Sequence, residues 1–191
     1  MFGLEPSTFG ARAARIRALV LDVDGVLTDG RLRFGPQGET LKVFHAHDGL
    51  GIKMLMHAGV EVAVVTARSS SMVELRCSQL GIRHVLMGRG EKRSAVQELA
   101  HRLDVPLEDF AFMGDDVIDL PAMRTVGLSL SVAGAHPLVR NEASWVSTRP
   151  GGGGAVRELC DTLIAARTDL ADFVESYLES LSETPAGEGL Q

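Results

Sequence analysis

The chain has 191 residues, a formal net charge of −6 at pH 7 and 23% charged residues, a composition that predicts one soluble globular domain with a sizeable core. The negative charge argues against the basic surface typical of proteins that bind nucleic acid or anionic membranes. No stretch reaches the roughly 20 apolar residues of a membrane span, and no signal-peptide pattern follows the first arginines. Cys77 and Cys160 share no metal-binding or redox spacing, so we expect buried thiols and a cytoplasmic protein.

Apolar runs alternate with helical segments along most of the chain. Strands are predicted at 16–22, 60–65, 82–87, 110–113, 127–132 and 145–146. Helices are predicted at 48–58, 92–103, 116–124 and 155–167. A further helix is predicted to follow Ser69 and to end at Leu80. This alternation is typical of a parallel sheet covered by helices on both faces. The fold class is therefore predicted to be α/β, a doubly wound Rossmann-like parallel sheet.

The segment after the first strand predicts a β-hairpin. Its arms are 31–34 and 41–44, and the Gly-Pro-Gln-Gly sequence between them supplies a turn. Asp48 is predicted to cap the helix that follows. Three parts are expected: an N-terminal arm at 1–15, the main domain at 16–167, and a C-terminal part at 168–191. The last part combines an amphipathic helix at 169–181 with a flexible tail.

The first strand ends in a pair of carboxylates, Asp22 and Asp24, followed by Gly25. In open α/β sheets, ligands bind at the carboxyl ends of the strands. Two like charges at such a place repel each other unless a cation or a shared proton relieves them. Mg²⁺ is the natural cation because it prefers hard oxygen ligands and also binds phosphate oxygens.

Other predicted strands also end in polar residues. Thr66 follows the second sheet strand, Lys92 begins the helix after the third, and Asp115, Asp116 and Asp119 follow the fourth. Each has an ordinary explanation when taken alone: a strand-end hydroxyl, a solvated lysine, or first-turn acids favoured by the helix dipole. Because the carboxyl ends of parallel strands share one edge, their joint appearance predicts a single polar crevice.

These motifs, in this order, resemble the haloacid dehalogenase superfamily of phosphatases. The sequence D-x-D-G-V stands at 22–26, and G-D-D-V-I-D stands at 114–119. Further stretches resemble the family of 3-deoxy-D-manno-octulosonate 8-phosphate (KDO 8-phosphate) phosphatases. They are L-T-D-G at 27–30, F-x-x-x-D-G-x-G-I at 44–52, G-D-D-x-I-D-x-P at 114–121, A-H-P-L at 135–138 and the glycine loop at 152–158. The resemblance covers about 16–167.

The resemblance implies a phosphomonoesterase that hydrolyses KDO 8-phosphate in lipopolysaccharide precursor synthesis. Asp22 would attack phosphorus and form an aspartyl-phosphate. Asp24 would protonate the leaving alkoxide and then activate water for the second step. Thr66 and Lys92 would bind phosphoryl oxygens and stabilise charge in the transition state.

The resemblance also implies a magnesium site at the strand ends. Asp22, the backbone carbonyl of Asp24, and Asp115 would hold Mg²⁺. Asp116 and Asp119 would not bind the ion directly but would orient the phosphate-binding lysine or the metal-bound waters.

The spacing of the motifs leaves no room for a separate cap domain. In the resembled family, tetramers let each subunit cover the site of another, so the resemblance implies a homotetramer. It places contacts with a sugar-acid phosphate at Asp24, His45, Ala46, His47, Asp48, Gly49, Lys53, Arg68, Arg76 and Lys92. The cations Lys53, Arg68 and Arg76 suit a substrate with a phosphate and a carboxylate, although each could instead be a solvated helix charge.

Three departures from the family pattern leave the identity of the sugar open. His47 stands where the family usually has Arg, the glycine run at 151–154 contains no Arg, and T-A-R at 66–68 replaces the common T-G-R. His45 and His47 also form an H-x-H pair, which could hold a second metal with Asp48 as the nearby third ligand.

Three alternatives remain beside the main interpretation. The enzyme could act on the 9-phosphate of a nonulosonic acid such as sialic acid. The chain could be a catalytically silent oligomeric scaffold, although it keeps every predicted catalytic residue. A phospho-signalling receiver domain has similar polar strand ends, but its acceptor Asp lies on a middle strand after an acidic pair on the first.

Overall fold

The computed structural model describes residues 6–183. Its strands are β1 Ala18–Leu21, β2 Arg33–Gly35, β3 Gly38–Leu41, β4 Glu61–Val65, β5 His84–Leu86, β6 Phe110–Gly114, β7 Leu128–Ser131 and β8 Trp145–Val146. Its helices are α1 Pro6–Arg15, α2 Ala46–His57, α3 Ser71–Leu80, α4 Lys92–Leu103, α5 Leu120–Met123, α6 Pro137–Glu142, α7 Ala155–Ala165 and α8 Leu170–Glu183. Six strands form one parallel sheet in the order β5-β4-β1-β6-β7-β8, which confirms the predicted α/β fold.

Strand β1 lies in the middle of the sheet. It pairs in parallel with β4 on one side and with β6 on the other, so that Leu21 lies beside Val64 and Met113. All four residues of β1 are buried, because helices flank the central strands of a parallel sheet. The order of the strands therefore brings the carboxyl ends of β1, β4 and β6 next to one another.

The predicted hairpin is present as a separate two-stranded antiparallel sheet, but it is shorter than expected. Gly35 pairs with Gly38, so the turn has two central residues instead of four, and the second arm is β3 instead of 41–44. Gly38 has a φ of 113°, which favours glycine and permits this tight turn. Large apolar side chains are exposed on and beside the hairpin: Leu32, Phe34, Leu41 and Val43.

Helix α2 begins two residues before the predicted start. Its N-cap is His45, whose Nδ1 accepts the N–H of His47 at 3.2 Å, so the prediction that Asp48 caps this helix is wrong. The Asp48 carboxylate instead accepts the backbone N–H of Arg157 at 2.8 Å, in the first turn of α7. Asp48 therefore ties two helices that are far apart in the sequence.

Two further elements differ from the prediction. The helix predicted at 116–124 is a single 3₁₀ turn at Val117–Asp119 followed by the short helix α5. Helix α6 has no predicted counterpart, although Pro137 at its first position is a typical start signal.

Helix α8 ends two residues beyond its predicted end. Phe173 and Tyr177 of α8 pack around the His57 ring of α2, with ring centroids 6.0 and 5.2 Å from it. The tail is predicted at 182–191, but residues 182 and 183 belong to α8. Residues 184–191 and the first five residues of the predicted arm lie outside the described residues, and the three-part division of the chain stays a prediction. Within 6–183, no helix is both long enough and apolar enough to cross a membrane.

Candidate active site

The carboxyl ends of β1, β4 and β6 open into one cleft of about 260 Å³. Seven residues predicted to be part of the site line it: Asp22, Asp24, Thr66, Arg68, Lys92, Asp115 and Asp116. Because these residues come from four separate stretches of the chain, the parallel sheet is what brings them together.

Lys92 lies at the centre of this cluster. It is the first residue of α4 and only 1% exposed, and its Nζ lies 2.7 Å from Asp22 Oδ1 and 2.6 Å from Asp119 Oδ1. Burial disfavours the ammonium, but the two carboxylates outweigh that effect and raise the pKa of Lys92. A buried charge persists only when it is paired in this way, so the cleft holds a fixed cation beside Asp22.

Both carboxylate oxygens of Asp119 already accept hydrogen bonds. Its Oδ1 accepts from Lys92, and its Oδ2 accepts the backbone N–H groups of Asp115 and Asp116 at 2.9 and 3.2 Å. Asp116 does not contact Lys92; its Oδ1 accepts the N–H of Val117 at 2.7 Å and caps the turn. Of the two acids predicted to orient the lysine or the waters, Asp119 is therefore the one that contacts the ammonium.

Asp22 and Asp115 fit the predicted magnesium site. Carboxylate oxygens of Asp22, Asp115 and Asp119 lie within 4.8 Å of one another, and Asp115 Oδ1 is buried without a hydrogen-bond partner. Burial and the neighbouring carboxylates raise the pKa of Asp115 to about 7. Burial raises the pKa of Asp22 to about 6, although Lys92 opposes the shift. Crowded hard oxygen ligands with an unpaired buried anion are suited to Mg²⁺.

We expect Mg²⁺ to raise the melting temperature more at pH 7.5 than at pH 5. The pKa values of Asp22 and Asp115 lie above the ordinary carboxyl value of 3.8, so these two groups bind more protons in the metal-free folded state than in the unfolded state. Their contribution to the stability of the metal-free protein therefore falls as pH rises from about 4 to 7. A cation that binds the ionised pair offsets this loss.

Thermal unfolding with and without Mg²⁺ at the two pH values measures the effect. Asp115→Asn is the control, because it removes the orphaned anion and should abolish most of the Mg²⁺-dependent rise. An equal rise at both pH values, or a rise that survives in Asp115→Asn, would contradict the assignment.

The turn after β1 is packed between the Asp115 side chain and the backbone of the glycine run at 151–154. Gly25 has a φ of 101°, and a Cβ there would lie 2.0 Å from Asp115 Oδ2. The glycine run packs beneath the same turn: Gly152 donates its N–H to Val26 O at 3.0 Å, and a Cβ on Gly151 would lie 1.7 Å from Gly25 O. The glycines thus allow two backbone segments to approach closely and fix the turn that carries Asp24.

Sequence reasoning missed Lys42. Its Nζ contacts Asp24 Oδ1 and lies 2.9 Å from Glu39 Oε1, and its side chain is only 2% exposed. On the other side of Asp24, Arg68 Nε lies 3.8 Å from Oδ2. A lysine in a hairpin arm is ordinarily solvated, so its sequence carries no signal of this buried contact.

Most of the predicted substrate contacts lie outside the cleft of their own chain. Of the ten, Asp24, Arg68 and Lys92 line it. Another group lines a narrow, mostly apolar cavity of about 10 Å³, formed in part by His45, Asp48, Gly49 and Arg76. His47 lines a third pocket beside Arg149 and Arg157.

The residues at 45–49 are closely packed within this chain. A Cβ on Gly49 would lie 2.3 Å from Arg76 Nη2, so the guanidinium rests on the bare backbone. The rings of His45 and His47 are 5.0 Å apart, but His45 Nδ1 already accepts a backbone N–H. In the described part of the chain, neither histidine belongs to a group of three possible metal ligands. Their assignment to the substrate stays a prediction.

The fold and this cleft define the class of protein. A parallel α/β sheet carries D-x-D at its central strand, with a threonine, a buried lysine and an acidic cluster at the neighbouring strand ends. The family model for haloacid dehalogenase-like hydrolases matches residues 78–159.

The relatives narrow the class. The 3-deoxy-D-manno-octulosonate 8-phosphate phosphatase of Escherichia coli K12 is 47% identical over 160 residues, 84% of this chain and 85% of that protein. The crystal structure of the Moraxella catarrhalis phosphatase of the same name, in complex with magnesium, phosphate and KDO, has a TM-score of 0.87 and 34% identity, covering 91% of this chain and 99% of that one. The Yersinia pestis structure has a TM-score of 0.85 and 44% identity, covering 89% and 92%. The chain belongs to the family of 3-deoxy-D-manno-octulosonate 8-phosphate phosphatases.

Proposed function

We propose that this protein is a Mg²⁺-dependent phosphatase that hydrolyses KDO 8-phosphate to KDO and phosphate. The observation that carries the proposal is the buried Lys92 ammonium, which is held between Asp22 and Asp119 beside the unpaired carboxylate of Asp115. This arrangement supplies a nucleophile, a fixed cation for the phosphoryl group, and a free hard-oxygen ligand. The relatives at 47% identity favour this substrate over a nonulosonate 9-phosphate and over a silent scaffold.

The reaction proceeds in two steps. Asp22 attacks phosphorus and forms an aspartyl-phosphate, while Asp24 gives a proton to the departing sugar alkoxide. Asp24, now a carboxylate, then takes a proton from the water that attacks the aspartyl-phosphate, which regenerates both side chains. Lys92 and Thr66 bind phosphoryl oxygens and stabilise the charge that develops on them. Mg²⁺, when held by Asp22, Asp115 and the Asp24 carbonyl, supplies further positive charge to the phosphoryl group.

A panel of phosphomonoesters tests the substrate. Phosphate release is measured for KDO 8-phosphate, sialic acid 9-phosphate, glucose 6-phosphate and p-nitrophenyl phosphate. We expect the highest kcat/KM for KDO 8-phosphate, since its remote carboxylate and hydroxyls supply binding energy that positions the phosphoryl group. If glucose 6-phosphate is turned over as efficiently as KDO 8-phosphate, the assignment of the substrate is wrong and only the assignment as a phosphatase stands.

Arg68 is the cation best placed to bind the sugar acid. Its Nε is buried without a hydrogen-bond partner, and its guanidinium lies over the Phe34 ring, 5.5 Å from the centroid. The side chain is otherwise partly exposed at the mouth of the cleft. A planar guanidinium held in this way can bind a carboxylate through two hydrogen bonds.

We expect Arg68→Ala to lower kcat/KM for KDO 8-phosphate by about 10- to 100-fold, the loss typical of a hydrogen bond to a charged group. The loss for p-nitrophenyl phosphate, which has no carboxylate, should be much smaller. Arg68→Lys keeps the charge without the planar geometry, so its kcat/KM for KDO 8-phosphate should lie between the values of the wild type and Arg68→Ala. Equal losses for both substrates would assign Arg68 to the phosphate instead of the sugar.

We also propose a homotetramer. A two-stranded hairpin is marginal in water by itself, and this one exposes Leu32, Phe34, Leu41 and Val43, an apolar group of the kind that marks interfaces. The tetramer would also give a role to the predicted substrate residues that lie outside the cleft of their own chain, because a neighbouring subunit could bring them to it.

Light scattering should give about four times the mass of one chain, and Phe34→Glu should shift the mass downward. Phe34 is 61% exposed, and Leu75 on α3 is 62% exposed, so Leu75→Glu is a matched control that should leave the assembly intact. A wild-type protein that is monomeric at micromolar concentration would refute this proposal.

We infer a cytoplasmic location from the cysteines. Cys77 and Cys160 are free and buried, and burial raises the pKa of Cys77 to about 11, which makes it an unreactive thiol. Free thiols are typical of a reducing compartment. This supports the cytoplasm as the place of the reaction.

A further inference from the structure

We propose that Lys42 is a positioning residue for the general acid Asp24, and that it joins the hairpin to the reacting end of the cleft. This inference rests on the proposed function, because it concerns the proton that the acid delivers. Lys42 is not a catalytic residue, since it is not among the residues that line the cleft.

Burial fixes the contact between Lys42 and Asp24. The Lys42 side chain is 2% exposed, whereas that of Asp24 is 20% exposed. A lysine at the end of a hairpin could extend its ammonium into water, yet this one turns inward and contacts Asp24 Oδ1. Removing an ammonium from water is costly unless a carboxylate compensates for it. Lys42 therefore holds Asp24 in one orientation.

The contact gives the two oxygens of Asp24 different roles. Oδ1 is anchored by Lys42. Oδ2 is buried, has no hydrogen-bond partner, and lies 3.8 Å from the Arg68 Nε. Because Lys42 engages Oδ1, Oδ2 is the oxygen left to exchange a proton with the alkoxide and with water once substrate binds beside it. Without Lys42, the carboxylate could rotate and present neither oxygen correctly.

Lys42 also connects the hairpin to the active site, because its ammonium contacts a carboxylate on each. It follows β3 directly, and Glu39 of β3 lies 2.9 Å from its ammonium. Two carboxylates, that of Glu39 on the hairpin and that of Asp24 on the turn after β1, therefore share a single buried cation. A change in the conformation of the hairpin would therefore move Lys42 and, with it, the Asp24 carboxylate. This contact links the hairpin, which we propose to lie in the tetramer interface, to proton transfer by Asp24.

The test compares two leaving groups in Lys42→Met, which keeps most of the length of the side chain and removes its charge. The sugar alkoxide needs a proton from Asp24, whereas p-nitrophenolate leaves without one. We expect kcat for KDO 8-phosphate to fall by about 10- to 100-fold, part of the 10²–10⁴-fold that acid–base catalysis contributes, with KM little changed. With p-nitrophenyl phosphate, a rapid burst of nitrophenol should persist and be followed by slow steady-state release, because only the second step then requires Asp24.

Two further variants separate positioning from a merely structural role. Lys42→Arg restores a cation and should recover much of the kcat lost with KDO 8-phosphate. Glu39→Gln removes one of the two carboxylates beside Lys42 but leaves the contact between Lys42 and Asp24, so it should alter the leaving-group dependence less than Lys42→Met does. If Lys42→Met slows the nitrophenol burst and the turnover of KDO 8-phosphate equally, or changes neither, the positioning role is refuted.

The wild-type protein distinguishes this failure from failure of the proposed function. If the wild-type protein is active and Lys42→Met shows the same dependence of rate on the leaving group, only the role of Lys42 is overturned. Wild-type protein that releases phosphate from neither ester overturns the phosphatase assignment and the role of Lys42 with it.

Discussion

Asp22→Asn should lower kcat for KDO 8-phosphate by about four orders of magnitude or more, the scale seen when a catalytic nucleophile is removed. The amide has nearly the shape of the carboxylate but cannot attack phosphorus to form the covalent intermediate. It also removes one of the two carboxylates that hold the Lys92 ammonium. Steady-state phosphate release measures the loss.

The same variant should remain folded. Burial raises the pKa of Asp22 to about 6 in the folded protein, so at pH 7 the folded state carries an anion that its surroundings disfavour. A neutral amide avoids that cost, while Lys92 keeps Asp119 as a partner. We therefore expect a melting temperature close to that of the metal-free wild type. A folded Asp22→Asn protein with near-wild-type turnover would exclude Asp22 as the nucleophile.

Asp24→Asn should slow both steps, by about 10²- to 10⁴-fold for an alkyl phosphate, the usual contribution of general acid–base catalysis. With p-nitrophenyl phosphate the first step no longer needs the acid, so the aspartyl-phosphate on Asp22 should accumulate. Stopped-flow absorbance should then show a burst of about one nitrophenol per subunit and very slow release afterwards.

Asp29→Asn is the matched control for this experiment. Asp29 lies five residues from Asp24, and its carboxylate accepts the backbone N–H of Arg31 at 3.0 Å on the exposed side of the turn. Its loss should leave the steady-state rate near that of the wild type. An Asp24→Asn protein with wild-type steady-state release and no burst would contradict the acid–base role.

The central part of the site could be predicted from sequence because its geometry follows from topology. The apolar run of β1 indicates a strand buried on both faces, and the alternation of strands and helices requires a parallel sheet. Once that is given, Asp22, Thr66, Lys92 and Asp115 must meet at one edge. The start of α4 at Lys92 agrees with the predicted boundary.

Other features could not be predicted, because they depend on contacts between distant parts of the chain. Local capping rules assign Asp48 to the helix in which it lies, but its carboxylate caps α7 across 109 residues of sequence. The buried position of Lys42 likewise requires Asp24 and Glu39 on either side. No local sequence pattern around Asp48 or Lys42 indicates either contact.

The boundaries of the hairpin were wrong for a related reason. The apolar residues at 41–44 resemble one arm of a strand pair, but within one chain Leu41 and Val43 remain about half exposed. Their hydrophobicity therefore does not report on the core of this chain. It agrees instead with the surface that we propose to be covered by other subunits.

Trapping the covalent intermediate tests the central claim most directly. The enzyme is mixed with Mg²⁺ and KDO 8-phosphate, quenched within one turnover and reduced with borohydride, which converts an aspartyl-phosphate into homoserine. Peptide mass spectrometry then locates the modified residue. We predict homoserine at position 22 in the wild-type protein and none in Asp22→Asn. Active enzyme that is modified at another carboxylate under these conditions, and not at Asp22, would contradict the account.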